Sequence, residues 1–362
     1  LLRPACMQRR SFMTTCPKLS AVTKPSMWMK AMLPLLRPAC MQRRSFMTTC
    51  PRALPEGPEV SSLADGLRHH VEEGNSNENS NNARIVSARI VSGRYATGAP
   101  PEGWDEFTAM LPLDVHGVRN KGKFMYYELA AGVSLWSTLG MSGGWTLRPH
   151  RHARLALDLE RSSSHDVLTF YDSRNFGTFK ACFDDEKLQA RLARLGPSWT
   201  QPGEVTLDVF RHLLAKGGKP QRRRRLAVFL MDQTKTAGVG NYILAEALYA
   251  ARIHPWARVG DVAQDDGVVA ALHAAISDIS MGSLDAQRGS AARRAGLPPL
   301  PGLRKKKGAF GGTGGCGGDF ALKVYGKNAC PSGFPVVRDR NGPHKRTIHW
   351  VPEVQVLFGQ EM

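Results

Sequence analysis

Two glutamates three residues apart stand at the start of a predicted helix. Residues 55–60 read Pro-Glu-Gly-Pro-Glu-Val, which places Glu56 and Glu59 in the first turn of a helix that opens with proline. Residues spaced three apart share one helix face, so one carboxylate can act as a general acid or base while the other orients it. The structural alternative is that both carboxylates compensate the helix dipole.

The surrounding pattern indicates which elements must position these carboxylates. Residues 83–183 form short alternating runs separated by Gly, Pro and Asn, which predicts an antiparallel sandwich or barrel. Helical periodicity follows from about residue 186 to 295, and the tail alternates around an Asn-Gly pair at 341–342, as in a β-hairpin. Residues 54–73 carry apolar side chains at helical spacing: Val60, Leu63, Leu67 and Val71.

The net charge of +18 in 362 residues is unevenly placed. Residues 1–54 contain ten Lys or Arg and no Asp or Glu, whereas the remainder holds 39 basic and 31 acidic residues. An acid-free, Arg-rich leader is typical of an organelle transit peptide, which predicts a mitochondrial or plastid location. The same 17 residues occur at 1–17 and 35–51, so an artefactual upstream segment is the alternative, and the expected location is then the nucleus.

Composition argues against two broad classes of protein. The sequence lacks an uninterrupted run near the roughly 20 apolar residues that a membrane-spanning helix needs, which predicts a protein without a membrane span. After residue 54 the cysteines are Cys182, Cys316 and Cys330, an odd number without a CxxC pair. A disulfide framework is therefore not expected, and a reducing compartment fits.

Six short sequence blocks follow one another in a characteristic order along the body of the chain. They are PEGPEV at 55–60, GKF at 122–124, GMSG at 140–143, DSRNFG at 172–177, MDQTKTAGVGNYILAEAL at 231–248 and KVYGK with KRTIHW within 323–350. Together they resemble the formamidopyrimidine-DNA glycosylase/endonuclease VIII family of base-excision repair enzymes. The resemblance implies an α+β fold in which an antiparallel β-sandwich opened by a helix precedes a helix–two-turn–helix domain with a β-hairpin finger.

The resemblance also implies the domain boundaries, and it covers about residues 55–358. We expect a leader at 1–54, a catalytic β-sandwich domain at 55–190, a helix–two-turn–helix domain at 191–300, a flexible Gly- and Lys-rich loop at 301–322, and the hairpin finger at 323–358. The Gly-rich loop would occupy the place of the lesion-capping loop of relatives.

Four residues match the family's catalytic group: Pro55, Glu56, Glu59 and Lys123. A free N-terminal proline is a secondary amine that titrates near neutrality, so Pro55 would attack C1′ of the damaged nucleoside and form an iminium with the opened sugar. Glu56 would protonate the ring oxygen, Glu59 would orient the site, and Lys123 would contact phosphate near the lesion. Because Leu54 precedes Pro55, either cleavage or translation start at codon 54 must free the amine, or the precursor is inactive.

Five further residues match the family's DNA contacts: Met141, Arg174, Phe176, Asn241 and Arg346. Met141, Arg174 and Phe176 would fill the void left by a flipped-out nucleotide, which offsets the cost of unstacking. Asn241 and the N–H groups of its helix start would bind one DNA phosphate, and Arg346 would grip phosphates around the flipped nucleotide. Without the resemblance, Met141 and Phe176 would be interpreted as core residues.

The tail departs from the four-cysteine zinc finger of many bacterial relatives. It offers Cys330, His344 and His349, with Cys316 in the preceding loop, and this spacing matches no known tetrahedral site. We therefore predict the zincless finger found in some eukaryotic relatives, with no metal and no cofactor. The predicted partner is damaged double-stranded DNA. The protein is expected to bind it as a monomer and to bind no membrane.

Three functions remain open at this point. The first is a bifunctional DNA glycosylase and AP lyase that excises oxidised bases and cleaves the strand by β/δ-elimination. The second is a DNA-damage-binding protein of the same fold, catalytically blocked at Pro55. The third is a general nucleic-acid-binding protein, and the joint presence of four residues argues against it: Glu56, Lys123, Asn241 and Arg346. The four arginines at 222–225 are either a solvated face or additional phosphate contacts.

Overall fold

Helix α1 (Gly57–Glu72) forms where the sequence predicts it and supplies one wall of the first hydrophobic core. Its apolar stripe is buried, with Leu67 at 0% exposure, because the 3.6-residue period places these side chains on one face. The predicted leader at 1–54 lies outside the described residues, as do positions 301–319 of the predicted Gly-rich loop. The computed structural model describes residues 55–72, 83–161, 164–288, 295–297 and 320–356.

Eight antiparallel strands form the predicted sandwich, in the order β5-β7-β6-β1-β2-β3-β4-β8. Two short helices, α2 (Arg94–Thr97) and α3 (Trp104–Ala109), lie between the first two strands. The strands are β1 (Arg84–Ile90), β2 (Leu113–Lys121), β3 (Phe124–Leu129), β4 (Ser134–Thr138), β5 (Gly143–Thr146), β6 (Ala153–Arg161), β7 (Ser164–Asp172) and β8 (Thr178–Cys182).

The sheet folds back on itself, so that its two ends enclose the core. Strand β1 pairs with β2 through only Arg84 and Ile85, while the rest of β1 pairs with β6. Trp145 of β5 and Phe179 of β8, from opposite ends of the strand order, meet with ring centroids 6.0 Å apart. Helix α1 packs against β2 beside this core, which places the start of the chain's body next to the β2–β3 turn.

Helix α4 (Asp185–Ala193) corrects the predicted boundary at residue 190, which falls inside it. Asp184 caps this helix by accepting a hydrogen bond from the Lys187 N–H. Leu188 packs on Phe124 and Tyr126, so α4 covers the outer face of β3 and belongs to the first domain. The boundary between the domains therefore lies after Ala193.

A second core is built by helices of the region predicted to be helical. The helices are α5 (Leu207–Ala215), α6 (Gly218–Arg222), α7 (Leu226–Leu230), α8 (Asn241–Ala250), α9 (Val259–Val262) and α10 (Asp266–Gln287). Helix α8 lies at the centre of this domain, and its residues from Asn241 to Leu248 are all buried. Such all-round burial explains why α8 is predominantly apolar rather than amphipathic.

Helix α10 is a long apolar helix that the sequence analysis did not identify as a candidate membrane span. Its 22 residues are long and apolar enough to cross a membrane by length and composition. Leu272 and Ile276 of this helix are 0% exposed and belong to the second core. Burial against other helices thus accounts for part of the apolar composition of α10, since 39% of its apolar window is buried.

Three glycines allow the two domains to approach closely. The Gly57 N–H donates to the Gly238 carbonyl at 2.9 Å, and a Cβ at Gly57 would lie 2.9 Å from the Gly238 Cα. Gly122, at the β2–β3 turn, has φ +55, and a Cβ there would lie 2.6 Å from the Ala237 Cβ. The start of α1 and this turn therefore both contact the loop that precedes α8.

The tail forms the predicted hairpin but with a different turn. Strands β9 (Val337–Asp339) and β10 (Ile348–Trp350) pair antiparallel, and Asp339 opposes Ile348. The Asn-Gly pair does not form a two-residue turn, because Pro343 follows it and continues into a short 3-10 turn. The left-handed residues are instead His344 and Lys345, at φ 56 and 59.

One buried glutamate attaches the hairpin region to α8. The Glu246 carboxylate accepts hydrogen bonds from the N–H groups of Lys323, Val324 and Tyr325 at 2.7–2.9 Å. Cys330 is buried in a small apolar cluster beside this attachment, together with Val351.

Candidate active site and DNA-binding surface

Glu56 lies at the N-terminus of α8, where its carboxylate binds two backbone amides. Oε1 accepts from the Tyr242 N–H at 2.8 Å and Oε2 from the Ile243 N–H at 3.2 Å. The side chain is 1% exposed. Gly240 makes room for this approach, since a Cβ there would lie within 3.0 Å of both the Glu56 carboxyl and the Lys123 Nζ. Glu56 and Lys123 are thus brought together at one helix end.

The helix end corrects one sequence prediction. The first-turn amides of α8 were expected to bind a DNA phosphate, but Glu56 already occupies those of Tyr242 and Ile243. A carboxylate satisfies the positive end of a helix dipole as a phosphate would. The anion at this helix start is therefore the protein's own.

Burial and charge set the pKa values of this pair in opposite directions. Burial raises the pKa of Glu56 from 4.5 to about 7, although the Lys123 charge and the two backbone N–H groups oppose the rise. Burial lowers the pKa of Lys123, and the nearby Arg346 charge lowers it further, while Glu56 opposes the shift. Near neutral pH, Glu56 can therefore both hold and release a proton.

Glu59 orients this arrangement through several hydrogen bonds. Its carboxylate accepts from the Glu56 N–H at 3.0 Å and from the Tyr242 hydroxyl at 3.1 Å, and also from the Gln287 amide of α10. Burial raises the pKa of Glu59 in spite of these bonds. Glu59 thus links the start of α1 to both α8 and α10.

Pro55 is half-buried and immediately precedes Glu56. Its position next to the buried carboxyl follows from the bond between the Gly57 N–H and the Gly238 carbonyl, which fixes the chain just before α1. In this sequence Leu54 acylates the Pro55 nitrogen, so the amine requires removal of the preceding residue to become nucleophilic.

Asn241 and Arg346 meet where the finger returns to α8. The Asn241 amide donates to the Thr347 carbonyl at 2.7 Å, which ties the helix start to the hairpin loop. Arg346 is half-buried, and its charge acts on both Lys123 and Tyr325. The structure therefore brings Arg346 to the catalytic group, while phosphate binding by Asn241 remains a prediction.

The three predicted void-filling residues lie together on two neighbouring loops. The Arg174 guanidinium lies 3.6 Å from the Met141 sulfur. Phe176 is 58% exposed, which is unusual for a phenylalanine and is the opposite of a core position. The side chains form one projecting surface at the ends of β4 and β7.

The arginine run at 222–225 divides into two kinds of residue. Arg224 pairs with Asp232 at 3.0 Å, and the Arg225 guanidinium lies 5.3 Å above the Trp256 ring. Arg222 and Arg223 are exposed. Arg225 is exposed as well in spite of its ring contact, so only Arg224 is half-buried and three of the four arginines present charge to solvent.

Comparison with known proteins supports this arrangement. The formamidopyrimidine-DNA glycosylase N-terminal domain model matches residues 54–179, and the formamidopyrimidine-DNA glycosylase H2TH domain model matches residues 202–293. Together they cover more than half of the chain, in the order seen in the fold. The chain belongs to the formamidopyrimidine-DNA glycosylase family.

Two curated members of this family illustrate the extent of the similarity. The protein of Thermus thermophilus is 38% identical over 140 residues, which are 38% of this chain and 49% of the relative. The chain therefore matches about half the length of that relative. The protein of Corynebacterium urealyticum is 27% identical over 325 residues, which are 83% of this chain and 99% of the relative.

Solved structures of the Lactococcus lactis family member share the fold. Its non-covalent complex with DNA containing an AP site has a TM-score of 0.59 at 22% identity, and covers 83% of this chain and 99% of that chain. Its complex with DNA containing an oxidised pyrimidine has a TM-score of 0.61 at 23% identity over the same shares. At these identities the likeness concerns the fold.

Sequence reasoning missed four residues that organise the family's site in this chain: Asp172, Tyr242, Glu246 and Gln287. Asp172 and Glu246 are buried carboxylates bonded to backbone N–H groups, and Tyr242 is a buried hydroxyl beside Glu59. Glu246 stands in an otherwise apolar stretch of α8, and that isolation was the available signal. The Glu59 partner of Tyr242 and Gln287 and the finger partners of Glu246 are far away in sequence, whereas Arg174 and Gly177, which donate to Asp172, are only two and five residues from it.

The raised pKa of Glu56 predicts a pH-dependent stability. Because the folded value of about 7 exceeds 4.5, this group's contribution is fully present below pH 4.5 and is lost as pH rises through 7. In Glu56→Gln this loss should be absent, so wild-type unfolding free energy should fall by about 3 kcal/mol relative to the variant over this range. Denaturant unfolding at several pH values measures the difference.

Glu186→Gln on the exposed first turn of α4 is the matched control and should keep the wild-type pH slope. A wild-type slope in Glu56→Gln as well would contradict the assigned pKa.

Proposed function

We propose that this chain is a bifunctional DNA glycosylase and AP lyase of base-excision repair, which removes formamidopyrimidines and related oxidised bases. The observation that carries the proposal is a buried carboxyl group, Glu56, that titrates near neutrality directly beside Pro55. A general acid works best when its pKa lies near the working pH. Lys123 and Arg346 add positive charge at the same place.

The first chemical step uses the free secondary amine of Pro55. Its lone pair forms a bond to C1′, and the glycosidic bond breaks with its electron pair leaving on the base. The Pro55 nitrogen then loses its N–H proton and the departing base takes up one proton, so the nitrogen regains the lone pair that forms the iminium. Glu56 then gives its proton to O4′ as the C1′–O4′ bond breaks. The product is an iminium between Pro55 and the opened sugar, with Glu56 left as a carboxylate that the α8 amides stabilise.

Strand cleavage follows from the iminium. The positive nitrogen acidifies C2′, a proton leaves C2′ to a base, and the C3′–O bond breaks with the 3′ phosphate as the leaving group. A δ-elimination can then release the 5′ phosphate. Lys123, whose burial lowers its pKa, lies next to Glu56 where it can contact a phosphate or the departing base.

DNA binding is assigned to the surface that surrounds this centre. Met141, Arg174 and Phe176 would enter the space of the extruded nucleotide, where an exposed apolar wedge lowers the cost of unstacking. Arg346 would neutralise phosphates around that nucleotide. The proposed partner is damaged double-stranded DNA; the Lactococcus lactis relative is bound to AP-site DNA in one solved structure and to oxidised-pyrimidine DNA in another.

The second candidate is a damage-binding protein without catalysis. It is favoured by one fact of the sequence, namely that Leu54 makes the Pro55 nitrogen an amide. In this form the DNA-binding surface is retained but the nucleophile is absent. Exposure of Pro55 by cleavage after Leu54 converts this candidate into the first.

Covalent trapping separates the two candidates. A chain that begins at Pro55 should form a stable adduct with DNA containing an abasic site in the presence of borohydride, because borohydride reduces the iminium to a tertiary amine. A chain that begins at Leu54 is the matched control; it differs by one residue and should trap poorly. Gel analysis of the adduct is the measurement. Binding without any adduct in the Pro55 form would establish the non-catalytic candidate.

Charge at the finger predicts a specific salt dependence. Arg346→Ala should weaken binding to a lesion duplex and reduce the slope of log affinity against log salt by about one, because one phosphate contact is lost. Arg89→Ala is the control, since Arg89 is an exposed arginine already paired with Asp158 at 2.6 Å. Binding isotherms across a salt series measure the slope.

Glu56→Gln should show the reverse behaviour in the same assay. Its affinity and salt slope should stay at wild-type values, whereas single-turnover excision should be lost. An unchanged slope in Arg346→Ala would remove the finger from the DNA contact surface.

We propose that the finger folds without zinc. Among the described residues, no three Cys, His, Asp or Glu side chains come together as metal ligands, and Cys330 lies instead among Val324, Val351 and Ala245. Cys316 lies outside the described residues. Apolar contacts and the Glu246 hydrogen bonds take the place that metal ligands have in a zinc finger.

Elemental analysis and chelation test this proposal. The purified chain should contain well under one zinc per molecule, and its DNA affinity should be unchanged after incubation with a chelator. About one tightly held zinc per chain would overturn the proposal and would direct attention to Cys316, Cys330, His344 and His349.

A further inference from the structure

Two loops carry the projecting side chains Met141, Arg174 and Phe176. The Met141 loop (residues 139–142) joins β4 to β5, and the Arg174 loop (residues 173–177) joins β7 to β8. The loops touch through backbone, since a Cβ at Gly140 would lie 2.7 Å from the Gly177 nitrogen. Their relative position is therefore set by close packing and by whatever bonds cross between them.

One carboxylate makes bonds both within and between these loops, beside a direct bond from the Arg174 N–H to the Ser142 hydroxyl at 3.2 Å. Asp172, the last residue of β7, is 0% exposed. Its Oδ1 accepts from the Ser142 hydroxyl at 2.5 Å and from the Arg174 N–H at 3.0 Å, and its Oδ2 accepts from the Gly177 N–H at 2.7 Å. Ser142 belongs to the Met141 loop and the other two donors to the Arg174 loop, so Asp172 binds both.

The surroundings hold this carboxylate ionised and in place. Burial by itself raises the pKa of Asp172, but the hydrogen bonds from Ser142 and from the backbone of Gly177 and Arg174 bring it below its ordinary value. Arg154 donates to the Asp172 carbonyl at 2.8 Å. The carboxylate is thus an acceptor with every nearby donor directed at it.

A second arginine supports the Arg174 loop from behind. Arg94 donates to the Gly177 carbonyl at 2.6 Å and to the Asn175 carbonyl at 3.3 Å. Asn175 has φ 58, a left-handed conformation that a side-chain-bearing residue adopts only when its surroundings hold it there. The Arg174 loop is therefore fixed at both ends and in its middle.

We propose that Asp172 is a positioning residue that locks the Met141 and Arg174 loops into one rigid unit, so that Met141, Arg174 and Phe176 enter the space of a flipped nucleotide together. The inference rests on the proposed function, because it concerns binding to a lesion duplex. Side chains held in their bound arrangement before binding avoid the entropy cost of ordering two loops on the DNA.

The chemistry of the donors explains why a carboxylate is needed at this position. A carboxylate has acceptors on both oxygens, whereas an asparagine amide carries N–H donors on one side. In Asp172→Asn, one of the donors from Ser142, Arg174 or Gly177 must face an N–H group. The bond between the loops or the bonds within the Arg174 loop are then lost, while the size of the side chain is unchanged.

Insertion into DNA can be measured without any chemistry. The probe is a duplex with a tetrahydrofuran abasic analogue opposite 2-aminopurine, whose fluorescence reports how the unpaired base is stacked. With the chain that begins at Pro55, wild-type protein should change this fluorescence rapidly after mixing. Asp172→Asn should slow the change by about 10-fold, as expected for a lost buried hydrogen bond, and Ser142→Ala should slow it less.

Trapping on single-stranded abasic DNA distinguishes a positioning defect from misfolding, because a misfolded variant would lose this activity as well. A single strand has no opposite base and no void between base pairs, so Asp172→Asn should trap on single-stranded abasic DNA within about 2-fold of wild type. Asp158→Asn is the matched control. The Asp158 carboxylate accepts hydrogen bonds from Ser87 and Arg89 in the same domain. It lies on β6, five residues from the strand end that pairs with Tyr171. This control should match wild type in both assays.

Each outcome bears on a different statement. If Asp172→Asn inserts at the wild-type rate, or if it loses insertion and single-strand trapping equally, the positioning role is overturned. If Asp172→Asn does not fold, wild-type insertion by Ser142→Ala overturns the link between the loops, and slowed insertion supports it. Wild-type protein that inserts but neither traps nor excises overturns the proposed catalysis and leaves the positioning role supported.

Discussion

The hydrogen bonds from the Tyr242 and Ile243 N–H groups to Glu56 are the constraint on which the rest of the site depends. The partners are 186 and 187 residues apart and lie in different domains. For these bonds to form, the start of α1 must approach the N-terminus of α8 with no side chain between the two backbones. Glycines at 57, 122 and 240 meet this demand, because a Cβ at each would lie within 3.0 Å of an atom of the neighbouring segment, and Gly238 adopts φ +107, which favours glycine. Around Gly57 and Gly238 the domain interface is consequently backbone against backbone.

Burial of this carboxyl group creates opposing electrostatic effects. Desolvation favours the neutral acid, while Lys123 and the helix amides favour the carboxylate. Neither side prevails strongly, so the pKa settles at about 7 rather than remaining near 4.5. A solvated glutamate would be ionised at neutral pH and could not donate a proton, and a fully unpaired buried one would not release it. The same burial that stabilises the interface thus sets the group's capacity for proton transfer.

The sequence predicted the helices and strands much better than it predicted the contacts between them. The α1 stripe, the alternating strands and the apolar α8 follow from periodicity, which is local. The bond from Glu56 to α8 depends on the packing of two domains, and so the first-turn amides were assigned to phosphate instead. The Asn-Gly turn was wrong because Pro343 redirects the chain, and the boundary at residue 190 was wrong because Leu188 packs on the sandwich. The misses at the start of α8 and at residue 190 involve contacts between residues distant in sequence, whereas the turn was redirected by the adjacent Pro343.

Three buried carboxylates act by one physical rule. Glu56 binds the first turn of α8, Glu246 projects from α8 to the finger, and Asp172 joins the loops on the sandwich. In each case a buried acceptor binds donors from a separate segment (backbone N–H groups for Glu56 and Glu246, the Ser142 hydroxyl for Asp172), so the cost of burying charge is offset only when both segments are in place. Such bonds specify a geometry, because a displaced partner leaves an unsatisfied donor as well as an unsatisfied charge. The proposed function requires a nucleophile, a phosphate-binding arginine and a wedge in fixed relation, and this cooperativity would serve it better than apolar contacts, which tolerate sliding.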